Sequence, residues 1–282
     1  MRVPEYAIPP DVRVFRAERN RIAEVNSVYR CVGKKRSSDL TFYLKVTKGL
    51  EHSIENERQA LLELSGHPVP VPRVLWHGKE RREFLALEEM PGIILRDVLN
   101  PLSPYHEALR TTDVLREVGE IIATLHSLPV RWDPQKRRSL YGFLGEEEIE
   151  DIRFREIVLW LKANPPPPMK EVFTHGDLND ANVLIHRTQV SAILDWESAG
   201  MGWKEYELAW ALRERRNYLN TERARQSLLE GYQSKMPIDF DALRWCEVMN
   251  CMHVAYWCKD VYPNYMDFNL NNARAAMFRG YE

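Results

Sequence analysis

No stretch of this chain is long and apolar enough to span a bilayer, and its opening residues, MRVPEYAIPPDV, hold no apolar core of a signal peptide. There is no surplus of charge either. The 39 Lys and Arg against 41 Asp and Glu leave a net −2, which gives no global pull toward nucleic acid or an anionic membrane. The basic clusters Lys34-Lys35-Arg36, Lys79 to Arg82 and Arg213 to Arg216 are scattered, and read as solvated loops and a helix face. Cysteine is scarce, at four residues with no C-x-x-C pair. Cys246, Cys251 and Cys258 follow a helical spacing shared with Trp245, Val248, Met252, Ala255 and Tyr256, so buried helical cysteines are expected rather than a zinc site, despite His253 among them. No internal repeat is visible. These absences predict a cytoplasmic protein with reduced thiols, a monomer or homodimer, with no nucleic-acid or membrane partner.

What is present is ordinary in bulk. Forty-four per cent apolar and 28 per cent charged residues over 282 positions suffice for one large domain or two modest ones. Residues 1–90 read as short strands around one helix, and residues 91–282 as mostly helical. Val12 to Arg16, Arg21 to Glu24, Val28 to Val32 and Thr41 to Val46 are strand-like, with Lys34 to Asp39 as a polar hairpin tip. Ile54 to Leu64 is helical, with Ala60, Leu61 and Leu64 on one face. Val74 to Trp76 and Phe84 to Glu88 add two strands around a turn at Gly78 to Arg82. Glu89-Met90-Pro91-Gly92 then ends the sheet region, since Pro91 stops a strand and Gly92 permits a turn. Val114 to Leu125 is an amphipathic helix ending in Leu125-His126-Ser127-Leu128-Pro129, where His126 is expected to cap or fill the core. Pro165 to Pro168 reads as a rigid spacer, and the acidic run Gly142 to Glu150 as a solvated helix start.

The chemistry concentrates between His175 and Glu197, HGDLNDANVLIHRTQVSAILDWE. Asp177 stands two residues after His175, Asn182 five after Asp177, and Asp195 ends an apolar run, Ala192-Ile193-Leu194. A carboxylate to hold a hydroxyl nucleophile, with an amide and a second carboxylate to hold Mg²⁺, is the minimal equipment of kinase-type phosphoryl transfer. Each residue alone is an ordinary turn former, so it is the joint spacing, with strand-like runs between, that carries the reading.

At these positions the chain resembles the aminoglycoside phosphotransferase/choline kinase family, whose core reads H-G-D-(L/F)-x-x-x-N-(V/I)-L followed by (I/L)-(I/L)-D-(W/F)-E. His175 to Leu184 and Ile193 to Glu197 fit it without a gap. The resemblance implies an α+β, bilobal protein-kinase-like fold, with a small β-rich N-lobe over residues 1–90 and a larger, mainly helical C-lobe over 91–282. It implies ATP and Mg²⁺ as co-substrate and cofactor, and a small-molecule hydroxyl as acceptor.

By that resemblance Asp177 is the catalytic aspartate, Asn182 and Asp195 are the metal ligands, and Lys45 grips the nucleotide phosphates. Glu57 is the expected partner of Lys45, with Glu55 as the fallback. Glu88 and Met90 fall at the adenine edge, where recognition is by backbone. Glu197 stands two residues past Asp195, and is read equally as a group near metal or substrate and as a surface glutamate. The segment Ala23 to Val28, where the family has its phosphate-covering loop, holds no glycine, so a cradle there relies on Ser27 and backbone N–H groups. Glu207 stands where the family usually has Asp. Gly176, in place of the Arg of protein kinases, and the lack of an A-P-E segment after Asp195 argue against a phosphorylation-regulated protein kinase.

Thr221 to Glu282 should set acceptor choice. Its aromatics (Trp245, Tyr256, Trp257, Tyr262, Tyr265, Phe268) and acids (Asp239, Asp241, Glu247, Asp260, Asp267) suit a cationic or amphipathic alcohol, an aminoglycoside or choline-like amine, if they line a cleft; as core aromatics and surface acids they carry no such meaning. The function expected is ATP- and Mg²⁺-dependent transfer of the γ-phosphate to a small-molecule hydroxyl. The alternative is a nucleotide-binding pseudokinase acting as an interaction module, for which the glycine-free loop is the support.

Overall fold

The computed structural model describes residues 3–20, 26–49, 54–105, 111–130, 151–213 and 222–281. The chain divides into two compact units, one of residues 1–95 with 182–199, the other of residues 96–181 with 200–282.

The first unit is built on a five-stranded antiparallel sheet in the order β1-β2-β3-β5-β4. Its strands are β1 (Val12–Arg19), β2 (Asn26–Lys35), β3 (Ser38–Thr47), β4 (Val74–Lys79) and β5 (Glu83–Glu88). Alternation buries one face: Cys31, Phe42, Leu44 and Ala86 are fully buried, and the Trp76 ring meets Phe42 edge-on with centroids 4.8 Å apart. The β2–β3 hairpin is tighter than the polar run Lys34 to Asp39 suggested. The strands pair through Lys34↔Asp39 and Lys35↔Ser38, leaving only Arg36 and Ser37 to turn. Arg36 takes a left-handed φ of 55°, which a two-residue loop demands. The turn between β4 and β5 is likewise shorter than expected, because β4 continues through Gly78 to Lys79. The expected strand Arg21 to Glu24 lies outside the described residues.

Helix α1 (Glu55–Leu64) buries Ala60, Leu61 and Leu64 and, on the same side, Glu57. The unit is completed by a three-stranded sheet in the order β6-β8-β9: β6 (Ile93–Ile94), β8 (Val183–His186) and β9 (Gln189–Ile193). Gly92, at φ 140°, makes the step into β6 possible. A Cβ there would sit 2.8 Å from the Ile185 carbonyl and from the Ser191 hydroxyl.

The second unit is mainly helical. It holds α2, which begins at Leu95 and ends at Leu99, α3 (Thr111–Ser127), α4 (Ile152–Ala163), α5 (Lys204–Leu212), α6 (Glu222–Gln233), α7 (Phe240–Cys258) and α8 (Pro263–Met277), with a two-stranded ribbon of β7 (Glu171–Thr174) and β10 (Gly200–Trp203). Helices α3 and α6 touch backbone to backbone. A Cβ on Gly119 would lie 2.0 Å from the Leu228 carbonyl, and one on Gly231 would lie 1.9 Å from that of Arg116. Pro165 to Pro168 form an irregular link between α4 and β7. The acidic run Gly142 to Glu150 and residues 214–216 of the last basic cluster lie outside the described residues. Cys246 and Cys251 are buried along α7, and burial pushes the Cys251 thiol up to about 12. No helix among the described residues is long and apolar enough to cross a membrane.

Candidate active site

Strand β3, helix α1 and the segment after β9, all in the first unit, bring together residues far apart in sequence. Lys45 lies on β3, and its Nζ reaches both carboxylate oxygens of Glu57 on α1, at 2.8 and 2.7 Å. The same Nζ bonds Asp195 Oδ1 at 2.7 Å. Burial alone would lower the lysine pKa, but Glu57 and Asp195 override it and hold the ammonium above its ordinary value, so it stays charged. Burial pushes the Glu57 carboxyl up; Lys45 pulls it back, and the neighbouring Asp195 charge adds to the rise. Glu55 is turned elsewhere, bonded to Arg58 and Gln59.

Asn182 and Asp195 stand at the open end of one hairpin. β8 and β9 pair from Val183↔Ile193 onward, and just outside that pair the Leu194 N–H donates to the Asn182 carbonyl at 2.8 Å. The backbone of Asp195 then turns sharply, at φ 67°, into the short 3₁₀ helix Trp196–Ser198. Glu197 is not a bare surface residue. Its Oε2 accepts from Asn26 Nδ2 at 3.1 Å, and its backbone carbonyl accepts from Asn56 on α1 at 2.9 Å. Both asparagines escaped the sequence reading, because nothing local distinguishes an asparagine that clamps a distant strand from one in a turn.

Ser27 lies within β2, opposite Val46, rather than on a loop, and accepts from Arg19 at 3.3 Å. Residues 21–25, the rest of the glycine-free segment, are outside the described residues. Glu88 ends β5 with its carboxylate bonded to Arg73 at 2.7 and 2.9 Å, so its side chain is committed within the sheet. Met90 follows on the irregular strand-to-strand segment.

In the second unit the turn after β7 carries His175, Gly176 and Asp177. His175 is fully buried and its Nδ1 accepts the Asp177 N–H at 3.2 Å. Asn179 closes an Asx turn, donating to the Asp177 carbonyl and accepting from the Ala181 N–H. Asp180 is held by Arg96 through its side chain at 3.1 Å. The Gly176 N–H donates to Glu207 Oε1 at 2.7 Å, while Glu207 Oε2 meets His126 Nε2 at 2.8 Å. Burial would raise the Glu207 carboxyl, yet His126, His175 and the Gly176 N–H hold it below the usual range. The ionised carboxylate therefore assigns the Nε2 proton to His126, whose Nδ1 lies 2.9 Å from the Tyr232 hydroxyl. His126 is a core histidine, and the longer Glu207 is accommodated by reaching two partners at once.

Several aromatics and acids of the C-terminal helices are core and surface residues, the second of the two readings. Trp245 is buried and donates to the Leu161 carbonyl, and Glu247 is buried among Arg225, Arg279 at 2.8 Å, and the Tyr281 hydroxyl. Asp239 caps α7. Trp257, Tyr262, Asp260 and Asp267 remain on the surface.

The first unit holds a lysine–glutamate pair on strand and helix and an Asn and Asp at a hairpin end, and the second an H-G-D turn, features expected of a kinase-type phosphotransferase with a hydroxyl acceptor. The chain belongs to the phosphotransferase enzyme family, whose profile matches residues 18–246. It is 25% identical over 217 residues to an aminoglycoside 3'-phosphotransferase of Enterococcus faecalis, spanning 69% of this chain and 78% of the relative. A choline/ethanolamine kinase family protein from Mesorhizobium loti superposes with a TM-score of 0.69 at 15% identity, covering 94% of this chain and 89% of its own. A thermostable mutant of aminoglycoside phosphotransferase APH(4)-Ia, in complex with ADP and hygromycin B, gives 0.67 at 16% identity, over 95% and 96%. The fold is the protein-kinase-like one. None of these likenesses supports the pseudokinase alternative.

Proposed function

We propose that the protein transfers the γ-phosphate of ATP to the hydroxyl of a small amine-bearing alcohol, such as an aminoglycoside or a choline-like compound, in the cytoplasm. The observation that carries this reading is the buried ammonium of Lys45, held by both oxygens of Glu57 and by Asp195. A permanently charged, rigid lysine on a strand suits the grip on the α- and β-phosphates. The adenine is read by the backbone of residues 88–90, since the Glu88 side chain is spent on Arg73. Ser27 on β2 is proposed as a further phosphate contact.

Asn182 and Asp195 supply the amide and carboxylate oxygens that Mg²⁺ prefers, and their placement at one hairpin end fits such a role. The bound ion would neutralise charge developing on the phosphate oxygens. Asp177 orients the acceptor hydroxyl. The acceptor oxygen bonds to the γ-phosphorus as the bond to the bridging oxygen breaks; ADP leaves with that electron pair, and the hydroxyl proton passes late to the Asp177 carboxylate. The names of the aminoglycoside-modifying relative and of the complex with hygromycin B support an acceptor with a cationic group.

The test is Mg²⁺-dependent ATP turnover by the wild type and Asp177→Asn against aminoglycosides, choline, ethanolamine, homoserine and sugars. Acceptor-stimulated turnover that disappears in the variant is the expected result. Equal turnover in the two proteins would overturn the assignment of Asp177.

A further inference from the structure

One helix holds the H-G-D turn twice. Glu207 on α5 takes the backbone N–H of Gly176, and Trp210, one turn further along, donates its indole Nε1–H to the Asp177 side chain, Oδ1, at 2.8 Å. The indole has two further contacts. The Tyr206 ring lies nearly parallel to it, 16° between planes with centroids 6.4 Å apart, and the Arg213 guanidinium sits 3.9 Å from its centroid. A ring that meets both an aromatic and a cation is restrained in its rotamers, which holds the direction of its N–H.

An aspartate carboxylate turns easily, because its terminal torsion is broad and two-fold. A hydroxyl aimed at such a group would meet either oxygen over a range of angles. A charge-assisted hydrogen bond from a rigid donor removes that freedom. We propose that Trp210 is a positioning residue for phosphoryl transfer: its indole N–H fixes the plane of the Asp177 carboxylate, so that the acceptor hydroxyl meets one defined oxygen, Oδ2. This inference rests on the role proposed for Asp177. The helix that supplies Trp210 is thereby part of the reaction's geometry.

Trp210→Phe keeps an aromatic ring beside Tyr206 and Arg213 while removing the N–H together with the five-membered part of the indole. The expected result is a kcat lower by roughly tenfold, in keeping with one hydrogen bond to a charged group, with the KM for ATP and for acceptor and the melting temperature nearly unchanged. A spectroscopic readout accompanies it. In ¹⁵N-labelled protein the Trp210 indole resonance, identified by its absence from Trp210→Phe, should move in Asp177→Asn. Wild-type kcat in Trp210→Phe, or a fall in kcat accompanied by equal losses in KM and melting temperature, would overturn the positioning role while Asp177→Asn stays inactive. An Asp177→Asn protein with full turnover would overturn the functional reading and the inference with it, even if the indole resonance moved.

Discussion

Glu207 accepts from the His126 ring at 2.8 Å and, on its other oxygen, from the Gly176 N–H at 2.7 Å, so one buried carboxylate ties the end of α3 to the turn that carries Asp177. Both side chains are almost wholly out of water. Removing the ring leaves one oxygen of a buried carboxylate without its hydrogen-bond donor. His126→Ala should therefore destabilise the protein by about 3 kcal/mol, measured by denaturant unfolding. A loss below half that value would mean that the Gly176 N–H alone satisfies Glu207.

Lys45 and Glu57 predict an asymmetric pair of variants. Lys45→Ala removes the cation proposed to hold the phosphates and should lower kcat/KM by roughly 10²–10³-fold, the scale seen when one donor to developing charge is lost. Glu57→Gln leaves the ammonium bonded to Asp195, and a smaller loss, roughly tenfold, is expected. Steady-state kinetics with an accepted substrate decides it. Equal losses would show that Glu57, not Asp195, is what keeps Lys45 extended.

Glu247 sets an acid limit on stability. Burial works against its ionised form, but Arg225, Arg279 and the Tyr281 hydroxyl more than compensate and hold its pKa below the ordinary 4.5. A carboxyl whose pKa is depressed on folding contributes stability that is complete above its unfolded value and is lost as pH falls through the folded value. The melting temperature should thus fall as pH drops below 4.5, and Glu247→Gln should lower it at neutral pH while flattening that acid limb. A variant whose melting curve runs parallel to the wild type from pH 7 to about pH 3 would assign the acid sensitivity to other carboxyls.

The amino-acid sequence by itself determined what depends on neighbours along the chain. Alternation and turn residues placed β2, β3 and β5 and helices α1 and α3. The short spacing from His175 to Glu197 put Asn182 and Asp195 at one hairpin end, because a two-strand ribbon returns to its start within a few residues. Hairpin tips are shorter than polar composition implies, since backbone pairing extends wherever cross-strand partners such as Lys34 and Asp39 suit each other. Tertiary structure alone decided the rest. Lys45 meets Asp195 across 150 positions, Glu247 sits in a cage of two arginines and a tyrosine, and Trp210 reaches the Asp177 turn from helix α5. Composition and periodicity cannot separate a buried, paired glutamate from a surface one, or an indole that holds a carboxylate from one that fills a core. Those distinctions arise when packing excludes water and leaves each polar group only the partners that the fold brings within reach.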